Sequence, residues 1–297
     1  MKKHISILLA GLLLAAGLTA CTGAGSSTGS SSSSSTGSNT ASGSDAGSEA
    51  SSTPASKDGP FKVGVKNNVV GFGYQDPLTN EYSGMEIDLS NMIAEALGYD
   101  GVEFTAVTAA TRGELLDAGT IDAVLATFTI TDERKESWDF STPYYTDAVT
   151  VLVEKASGIT SLADLKDKKV GVSTSSTSAK ALAAAMAEAG VIPTFDTAAD
   201  FVPATFTGGV TFVEFTDYPS ISSALTAGTV DAFSVDKSIL ATYLSDDRAY
   251  IAEKFSPQDY GVATKKGSEL SGEIETLIKG WLDDGTIDDL ITKYNLE

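Results

Sequence analysis

Several groups that can hold a carboxylate follow a short apolar run in the middle of the chain. The run 121–126 is typical of a buried strand, and Thr131 stands where a helix N-cap is expected. Arg134 follows three residues later, one turn into the predicted helix. Hydroxyls, main-chain amides and a guanidinium at the end of a strand can together bind a small carboxylate. An ordinary helix cap with a surface arginine is the alternative that this segment alone leaves open.

Two absences exclude whole classes of chemistry from the rest of the chain. The single histidine is His4 and the single cysteine is Cys21, so residues 22–297 contain neither residue type. Nucleophilic catalysis by Ser-His-Asp or Cys-His is therefore excluded there, and a structural zinc site is not expected. The sequence has no EF-hand loop and no phosphate-binding glycine motif, so it predicts neither a metal nor a cofactor.

The N-terminal part predicts export and a tether. In residues 1–20, two lysines precede an apolar run, which predicts a secretory signal peptide too short to span a bilayer. The residues Leu18-Thr19-Ala20-Cys21 resemble the lipobox of bacterial lipoproteins, which implies acylation of Cys21. A plain signal peptide with a chance cysteine is the alternative. Residues 21–58 are rich in Ser and Gly and predict a disordered linker, so the lipid would be the only membrane anchor.

The charge of the chain limits its partners. The net charge is −20, and the three lysines and three acidic residues of positions 1–58 cancel, so all of it falls on residues 59–297. Such acidity argues against nucleic acid and against anionic membranes as partners of the folded part. The remaining length suits one large domain or two of ordinary size.

The folded part alternates predicted strands and helices, which favours an α/β fold with parallel sheets covered by helices. The predicted strands are 61–66, 102–107, 121–126, 149–153, 169–172, 210–215, 230–235 and 260–264. The predicted helices are 84–97, 111–118, 161–165, 176–189, 218–227, 236–244, 270–283 and 287–294. Ligands of such sheets bind at the carboxyl ends of strands, and two α/β sets make the cleft between them the expected site.

Several motifs resemble the polar amino-acid-binding family of ABC-importer solute receptors, extracellular solute-binding protein family 3. They are GVKN at 64–67, TRGELL at 111–116, ATFTITDERK at 126–135, FSTPYY at 140–145, DYPS at 217–220 and VDAFSVDK at 230–237. The resemblance covers residues 61–297 and is strongest to the aspartate/glutamate/glutamine-binding branch. It implies a type II periplasmic-binding-protein-like fold that closes on its ligand. One lobe would be 59–150 plus 251–297 and the other 151–250, with hinge strands near 148–153 and 250–255.

The resemblance assigns roles to four residues that would hold the backbone of an amino acid. Arg134 would clamp the α-carboxylate through paired N–H bonds, and Thr129 would add its hydroxyl and amide. Thr127 would offer its carbonyl to the α-ammonium. Asp236, at the end of a predicted strand, would accept the same ammonium; a helix N-cap is the alternative for this residue.

The second lobe and the ligand side chain involve further residues by the same resemblance. The amides of Ser176 and Thr177, at the start of a predicted helix, would meet the α-carboxylate, although 174–176 lacks the usual glycine. Arg112 and Lys66 would bind an acidic side chain, and Tyr218 would close over it. Arg112 could instead be a solvated helix charge. Phe72 and Tyr74 would form an apolar wall, with core packing as the alternative.

Charge counting among these residues favours an acidic ligand. Three basic groups and Asp236 give the site a formal charge of +2, which glutamate or aspartate would reduce and glutamine would not. The resemblance implies a monomeric, non-enzymatic receptor that delivers its ligand to an ABC permease and its ATPase, and the charge count favours glutamate or aspartate as that ligand. A glutamine receptor, a dehydratase-like enzyme using Glu86 or Glu114, and a sensor or adhesive surface protein remain alternatives.

Overall fold

The computed structural model describes residues 57–297 apart from Ala198 and Asp200. The predicted signal peptide, the lipidation site at Cys21 and almost all of the predicted linker lie outside the described residues. Among the residues that are described, no helix is long and apolar enough to cross a membrane.

The described chain forms fourteen strands and eight α-helices. The strands are β1 Phe61–Val65, β2 Asn68–Val69, β3 Gly73–Gln75, β4 Tyr82–Ser83, β5 Val102–Ala106, β6 Ala123–Leu125, β7 Trp138–Phe140, β8 Tyr145–Glu154, β9 Lys169–Ser173, β10 Thr211–Phe215, β11 Ala232–Asp236, β12 Arg248–Tyr250, β13 Phe255–Tyr260 and β14 Ala263–Lys265. The helices are α1 Met85–Leu97, α2 Arg112–Asp117, α3 Asp132–Ser137, α4 Ser178–Glu188, α5 Tyr218–Thr226, α6 Lys237–Ala241, α7 Glu269–Asp283 and α8 Thr286–Lys293.

Two large sheets carry the fold. The first sheet has the order β5-β1-β6-β14-β7, with β5, β1 and β6 parallel and the other pairs antiparallel. The second has the order β10-β9-β11-β8-β12, with β13 also paired to β8, and only β10, β9 and β11 are parallel. The alternating sequence pattern predicted the parallel part of each sheet. Of the antiparallel strands in these sheets, it predicted half of β8 as 149–153, and it predicted 260–264, which overlaps the end of β13 and the start of β14. It did not predict β7 or β12.

Two crossings connect the sheets, and both correct the sequence prediction. The predicted strand 260–264 is wrong: Tyr260 ends β13 in the second sheet, whereas β14 belongs to the first. Gly261 lies between them, and a Cβ there would approach Ser141 O to 3.1 Å. The other crossing precedes β8, a single strand of ten residues rather than the five predicted. The lobe limits near 150 and 251 remain a prediction.

The other predicted elements begin and end within three residues of the observed ones, and three of them differ in type or length. The predicted helix 161–165 is a 3₁₀ turn, Leu162–Leu165. The predicted helix 176–189 begins at Ser178, two residues later than expected. The predicted helix 236–244 is only Lys237–Ala241, because Asp236 completes β11. Between α4 and β10, Phe201 and Phe206 pack against β10, with their rings 6.0 and 5.8 Å from the ring of Phe212.

Helix α1 shows how the sequence places a charged group in the interior. It begins after Gly84 and ends at Gly98, whose φ of 77° gives the left-handed cap expected of glycine. Leu89 and Ile93 recur on one face and are fully buried in the core. Glu86 stands three and seven residues before them, on the same face, so α1 carries a carboxylate inward.

Gly84 should be irreplaceable in this packing. Its φ of 131° lies in a region that favours glycine, and a Cβ would come 2.1 Å from Phe72 O. We expect Gly84→Ala to lower the free energy of unfolding by at least ~2 kcal/mol in urea titrations. Gly280→Ala is the matched control, since a Cβ at Gly280 in α7 meets nothing within 4 Å. That change should stabilise by about 0.5–1 kcal/mol; equal effects of the two substitutions would contradict the packing described.

Candidate functional site

The segment after β6 is a tight turn whose main chain is held by an arginine. Thr127 has a φ of 47°, in the left-handed region that β-branched residues rarely adopt. Arg112 Nη1 donates to the carbonyl oxygens of Ala126 at 2.7 Å and Thr127 at 3.1 Å. Arg112 is 3% exposed and lies over the ring of Phe128, so the interpretation as a solvated helix charge is wrong. Its guanidinium supports the carbonyl that was predicted to receive the α-ammonium.

Arg134 lies where the two sheets meet. Thr131 caps α3 as predicted, and its hydroxyl accepts a hydrogen bond from the Arg134 amide. The guanidinium donates to Thr129 O at 2.8 Å and to Ser175 O at 3.1 Å, which lies between β9 and α4. Burial, and next the positive charge of Arg112, lower the pKa of Arg134 to about 9. A carboxylate bound here would oppose both effects, because a nearby negative charge favours the protonated guanidinium.

Asp236 has a free acceptor in the interior. It ends β11 and stands at the N-cap position of α6, but its side chain makes no capping hydrogen bond. Tyr260 Oη donates to Oδ2 at 2.6 Å, while Oδ1 is buried and has no partner among the described residues. Burial raises the pKa of Asp236 to about 7. The N-cap alternative therefore accounts for the backbone position of Asp236 and leaves its carboxylate unexplained.

Lys66 presents an ammonium beside a cavity. It follows β1 and is 2% exposed, with Nζ 5.2 Å from the centre of the Tyr218 ring. No hydrogen bond or salt bridge to Nζ occurs within residues 57–297 as described. Burial, and then the charge of Arg112, hold the pKa of Lys66 well below its usual value. A cavity of about 130 Å³, which also reaches Ser173 and Thr216, is lined by Lys66 and Tyr218.

The connection between β9 and α4 differs from its prediction. The amide of Ser176 donates to Ser173 O at 3.1 Å, so it is not free for a ligand as expected. The Ser176 hydroxyl is instead buried without a partner in the described part of the chain. Ser175 has a φ of 61°, the left-handed conformation that a glycine would supply at lower cost. Thr177 precedes α4, and its hydroxyl donates to Gln258.

Gln258 is a buried contact that the sequence did not indicate. Its Oε1 accepts hydrogen bonds from Thr129 Oγ1 at 2.9 Å and from Thr177 Oγ1 at 2.7 Å. Its Nε2 donates to Ser256 O at 2.9 Å, which fixes the amide orientation. Because Thr129 follows β6 and Thr177 precedes α4, Gln258 on β13 joins the two sheets across the site. No periodicity marks this position, since the strand is bulged at Pro257.

Glu86 was considered from the sequence only as a candidate acid of an enzyme. Its Oε1 accepts hydrogen bonds from the Thr127 amide at 2.6 Å and from Tyr144 Oη at 2.5 Å. Its Oε2 is buried and has no partner among the described residues. The apolar spacing of α1 was a signal that could have found it, because Glu86 falls on the buried face. Glu114, the other candidate, is exposed on α2.

The remaining predicted residues divide between the site and the core. Phe72 is fully buried and packs edge-to-face on Tyr145 and Tyr260, so core packing is the interpretation that applies to it. Tyr74 is placed on β3 in the small sheet β2-β3-β4, where it pairs with Asn68. Among the described contacts, neither Phe72 nor Tyr74 touches a charged side chain of the site.

Five ionisable side chains therefore converge, and we refer to them as the charged cluster. Its members are Lys66, Glu86, Arg112, Arg134 and Asp236. The charge of each of the other four shifts the pKa of Lys66, although burial has the larger effect. Glu86 changes the count made from the sequence, since three cations and two carboxylates give a formal +1 rather than +2. Within the described residues, no group of three or more carboxylates, histidines or cysteines is placed to hold a metal ion.

Comparisons with known proteins identify the family. The family model of bacterial extracellular solute-binding proteins, family 3, matches residues 61–297. The chain is 32% identical over 301 residues to the ABC transporter glutamine-binding protein GlnH of Bacillus subtilis, covering 99% of this chain and 97% of that protein. It is 30% identical to the glutamate-binding protein GluB of Corynebacterium glutamicum, covering 80% of this chain and 79% of GluB.

A solved structure supports the same conclusion. An ancestral arginine-binding protein bound to glutamine is 32% identical, with a TM-score of 0.65, covering 80% of this chain and 97% of that one. Such likenesses confirm the predicted two-lobed, type II periplasmic-binding-protein-like fold. With the family model covering nearly all described residues, the chain belongs to the bacterial extracellular solute-binding proteins, family 3.

Proposed function

We propose that this chain captures glutamate or aspartate outside the membrane and delivers it to an ABC permease with its ATPase. The family consists of extracellular solute-binding proteins, the relatives above are amino-acid-binding proteins, and the GlnH protein is an ABC transporter glutamine-binding protein. The proposal for the ligand rests on one observation, the buried Lys66 ammonium, which lies on a cavity and has no partner among the described residues. A side-chain carboxylate would supply that partner.

The two ends of the backbone of an amino acid also have partners in the site. The Arg134 guanidinium is the cation that would bind the α-carboxylate. The Thr129 hydroxyl, which was expected to bind the same carboxylate, instead donates its proton to Gln258 Oε1. Asp236 Oδ1 is the free acceptor that would take the α-ammonium, together with Thr127 O. A ligand that bridges these groups would contact both sheets, and closure would then be stabilised by the ligand itself.

Glutamine is the second candidate, and a specific observation favours it. With Glu86 counted, the charged cluster carries a formal +1, so a neutral ligand would leave less uncompensated charge than the sequence implied. The similarity to the GlnH protein of Bacillus subtilis points the same way. Glutamate still neutralises the cluster completely, whereas glutamine leaves one positive charge in a buried site, which is costly.

The proposed location is the outer face of the cell membrane. Cys21, in the lipobox-like segment, would carry the lipid, and residues 21–58 would tether a monomeric receptor. Globomycin sensitivity of processing, together with palmitate labelling lost in Cys21→Ser, would support the anchor. Unchanged labelling in that variant would contradict it.

Calorimetric titration tests the proposal directly. Residues 57–297, stripped of ligand by unfolding and refolding, would be titrated with glutamate, aspartate, glutamine and arginine. We expect glutamate or aspartate to bind most tightly, with glutamine weaker and arginine weakest. Tightest binding of glutamine would replace the proposed ligand by the second candidate, and tightest binding of arginine would exclude both.

Replacing Lys66 should change ligand preference rather than general affinity. We expect Lys66→Met to weaken glutamate binding by about a hundredfold and glutamine binding by less than about threefold, since only glutamate would lose a charged hydrogen bond. Lys62→Met is the matched control, because Lys62 lies on β1, the strand that directly precedes Lys66, and is exposed. Equal losses for both ligands in Lys66→Met would remove Lys66 from side-chain recognition.

Replacing Gln258 should lower the affinity for all ligands and leave the preference among them unchanged. We expect Gln258→Ala to weaken glutamate and glutamine equally, by about tenfold, because Thr129 and Thr177 lose a buried acceptor that joins the two sheets. Gln75→Ala, in the turn of the small sheet where Gln75 Nε2 donates to Asn80 O, should leave both affinities unchanged. A changed preference in Gln258→Ala would place Gln258 among the ligand contacts instead.

Affinity should also depend on pH through Asp236. Its pKa of about 7 means that much of the free protein holds a proton there at neutrality, while the α-ammonium would need the carboxylate. Binding should therefore strengthen as pH rises from ~5 to ~7, by up to about tenfold per pH unit, and release a proton. Asp236→Asn should bind weakly at all pH values without this rise. A flat profile for the unmodified chain would contradict the role of Asp236.

A further inference from the structure

A buried carboxylate lies directly beneath the site and is absent from the predicted ligand contacts. Glu86 is fully buried in the first turn of α1, and its Oε2 has no partner among the described residues. An unpaired buried carboxylate oxygen is costly, so its presence calls for a function. The pKa of Glu86 is raised overall, because the effect of burial exceeds the lowering by the bonds from Tyr144 and Thr127 and by the charges of Lys66 and Arg112.

Glu86 and Arg112 hold opposite sides of the same turn. Glu86 Oε1 accepts from the amide of Thr127, and Arg112 Nη1 donates to the carbonyl of the same residue. These two contacts account for the left-handed φ of 47°, which a β-branched residue does not adopt by itself. The carbonyl of Thr127 is thereby aimed by two charged side chains of opposite sign.

Glu86 also acts on the charges around it. Burial and the charge of Arg112 lower the pKa of Lys66, and the carboxylate of Glu86 is the largest effect in the opposite direction, ahead of Asp236. It likewise raises the pKa of Arg112, against a larger effect of burial. A fixed anion among three buried cations changes how much negative charge a ligand must bring.

We propose that Glu86 is a positioning residue that determines the charge preference of the site, by offsetting one buried cation while it fixes the Thr127 turn. This inference rests on the proposed function, because it concerns the ligand bound at the same site. Without the Glu86 charge the cluster would discriminate more strongly in favour of anionic amino acids. The carboxylate therefore keeps neutral amino acids within the range of ligands that bind.

The test compares a charge change with a change in hydrogen bonding only. Glu86→Gln keeps an acceptor for the Thr127 amide and removes the charge, whereas Tyr144→Phe removes a hydrogen bond to the same oxygen and keeps the charge. Arginine, glutamine and glutamate serve as ligands of charge +1, 0 and −1 in calorimetric titrations. We expect Glu86→Gln to raise the affinity ratio of glutamate to glutamine by about tenfold and to lower that of arginine to glutamine similarly.

In Tyr144→Phe we expect all three affinities to change by the same factor. The proposal would be overturned if the affinity ratios among the three ligands were the same in Glu86→Gln as in Tyr144→Phe. Glu86 would then have a structural role only. Glu86→Asp, which keeps the charge and moves it, should lower the affinities and leave the ratios near those of the unmodified chain.

A measurement without ligand separates this inference from the proposed function. Urea unfolding would compare Glu86→Gln, Lys66→Met and the double variant. Removing both charges should cost less stability than the sum of the single changes, because Lys66→Met removes the cation that Glu86 offsets. If Glu86→Gln does not fold, the double variant should fold.

Additive losses, or a double variant that also fails to fold, would overturn the inference even if the chain binds the proposed ligand. A chain that binds none of the three amino acids would overturn the proposed function alone.

Discussion

Five ionisable side chains, three cationic and two carboxylic, are buried or half-buried where the two sheets meet. Buried charges are costly unless they are paired, and the charged cluster is only partly paired internally. Lys66 Nζ and Asp236 Oδ1 lack partners in the described part of the chain, while the arginines are partly satisfied by main-chain carbonyls. The fold therefore holds charges in place whose partners must come from elsewhere, which is the condition for selective binding of a small zwitterion.

The residues of the charged cluster come from several different strands and helices. Lys66 follows β1 of the first sheet, and Asp236 is the last residue of β11 of the second. Arg112 and Glu86 lie in the first turns of α2 and α1. Gln258 lies on β13, one of the strands that connect the sheets, and bonds to residues on both sides. Because no single element carries the site, its geometry depends on how the sheets approach each other. We infer that changes in ligand affinity and changes in closure are coupled in this protein.

The sequence predicted the features that local patterns determine, namely strand ends and helix caps, and it missed the contacts that depend on tertiary packing. Asp236 was placed at a strand end and Thr131 at a helix cap, because apolar periodicity and capping chemistry are local. Glu86 was missed as a site component, because a glutamate in an amphipathic helix is typical of a solvated face unless the apolar spacing around it is followed. Gln258 could not be found, since a bulge and the positive φ of Ser256 break the pattern around it. The resemblance to the family supplied the residue roles, and the bonds of Arg112 and Ser176 to the main chain required the structure.

Small-angle X-ray scattering of ligand-stripped and glutamate-saturated protein can show whether the ligand completes the charged cluster. If a bound amino acid supplies the missing partners, the empty cleft should open to let water reach Lys66 and Asp236. We therefore expect the radius of gyration to fall when glutamate is added, to the value of the arrangement described here. A ligand-stripped protein that already has the smaller radius, with no further change on saturation, would contradict it.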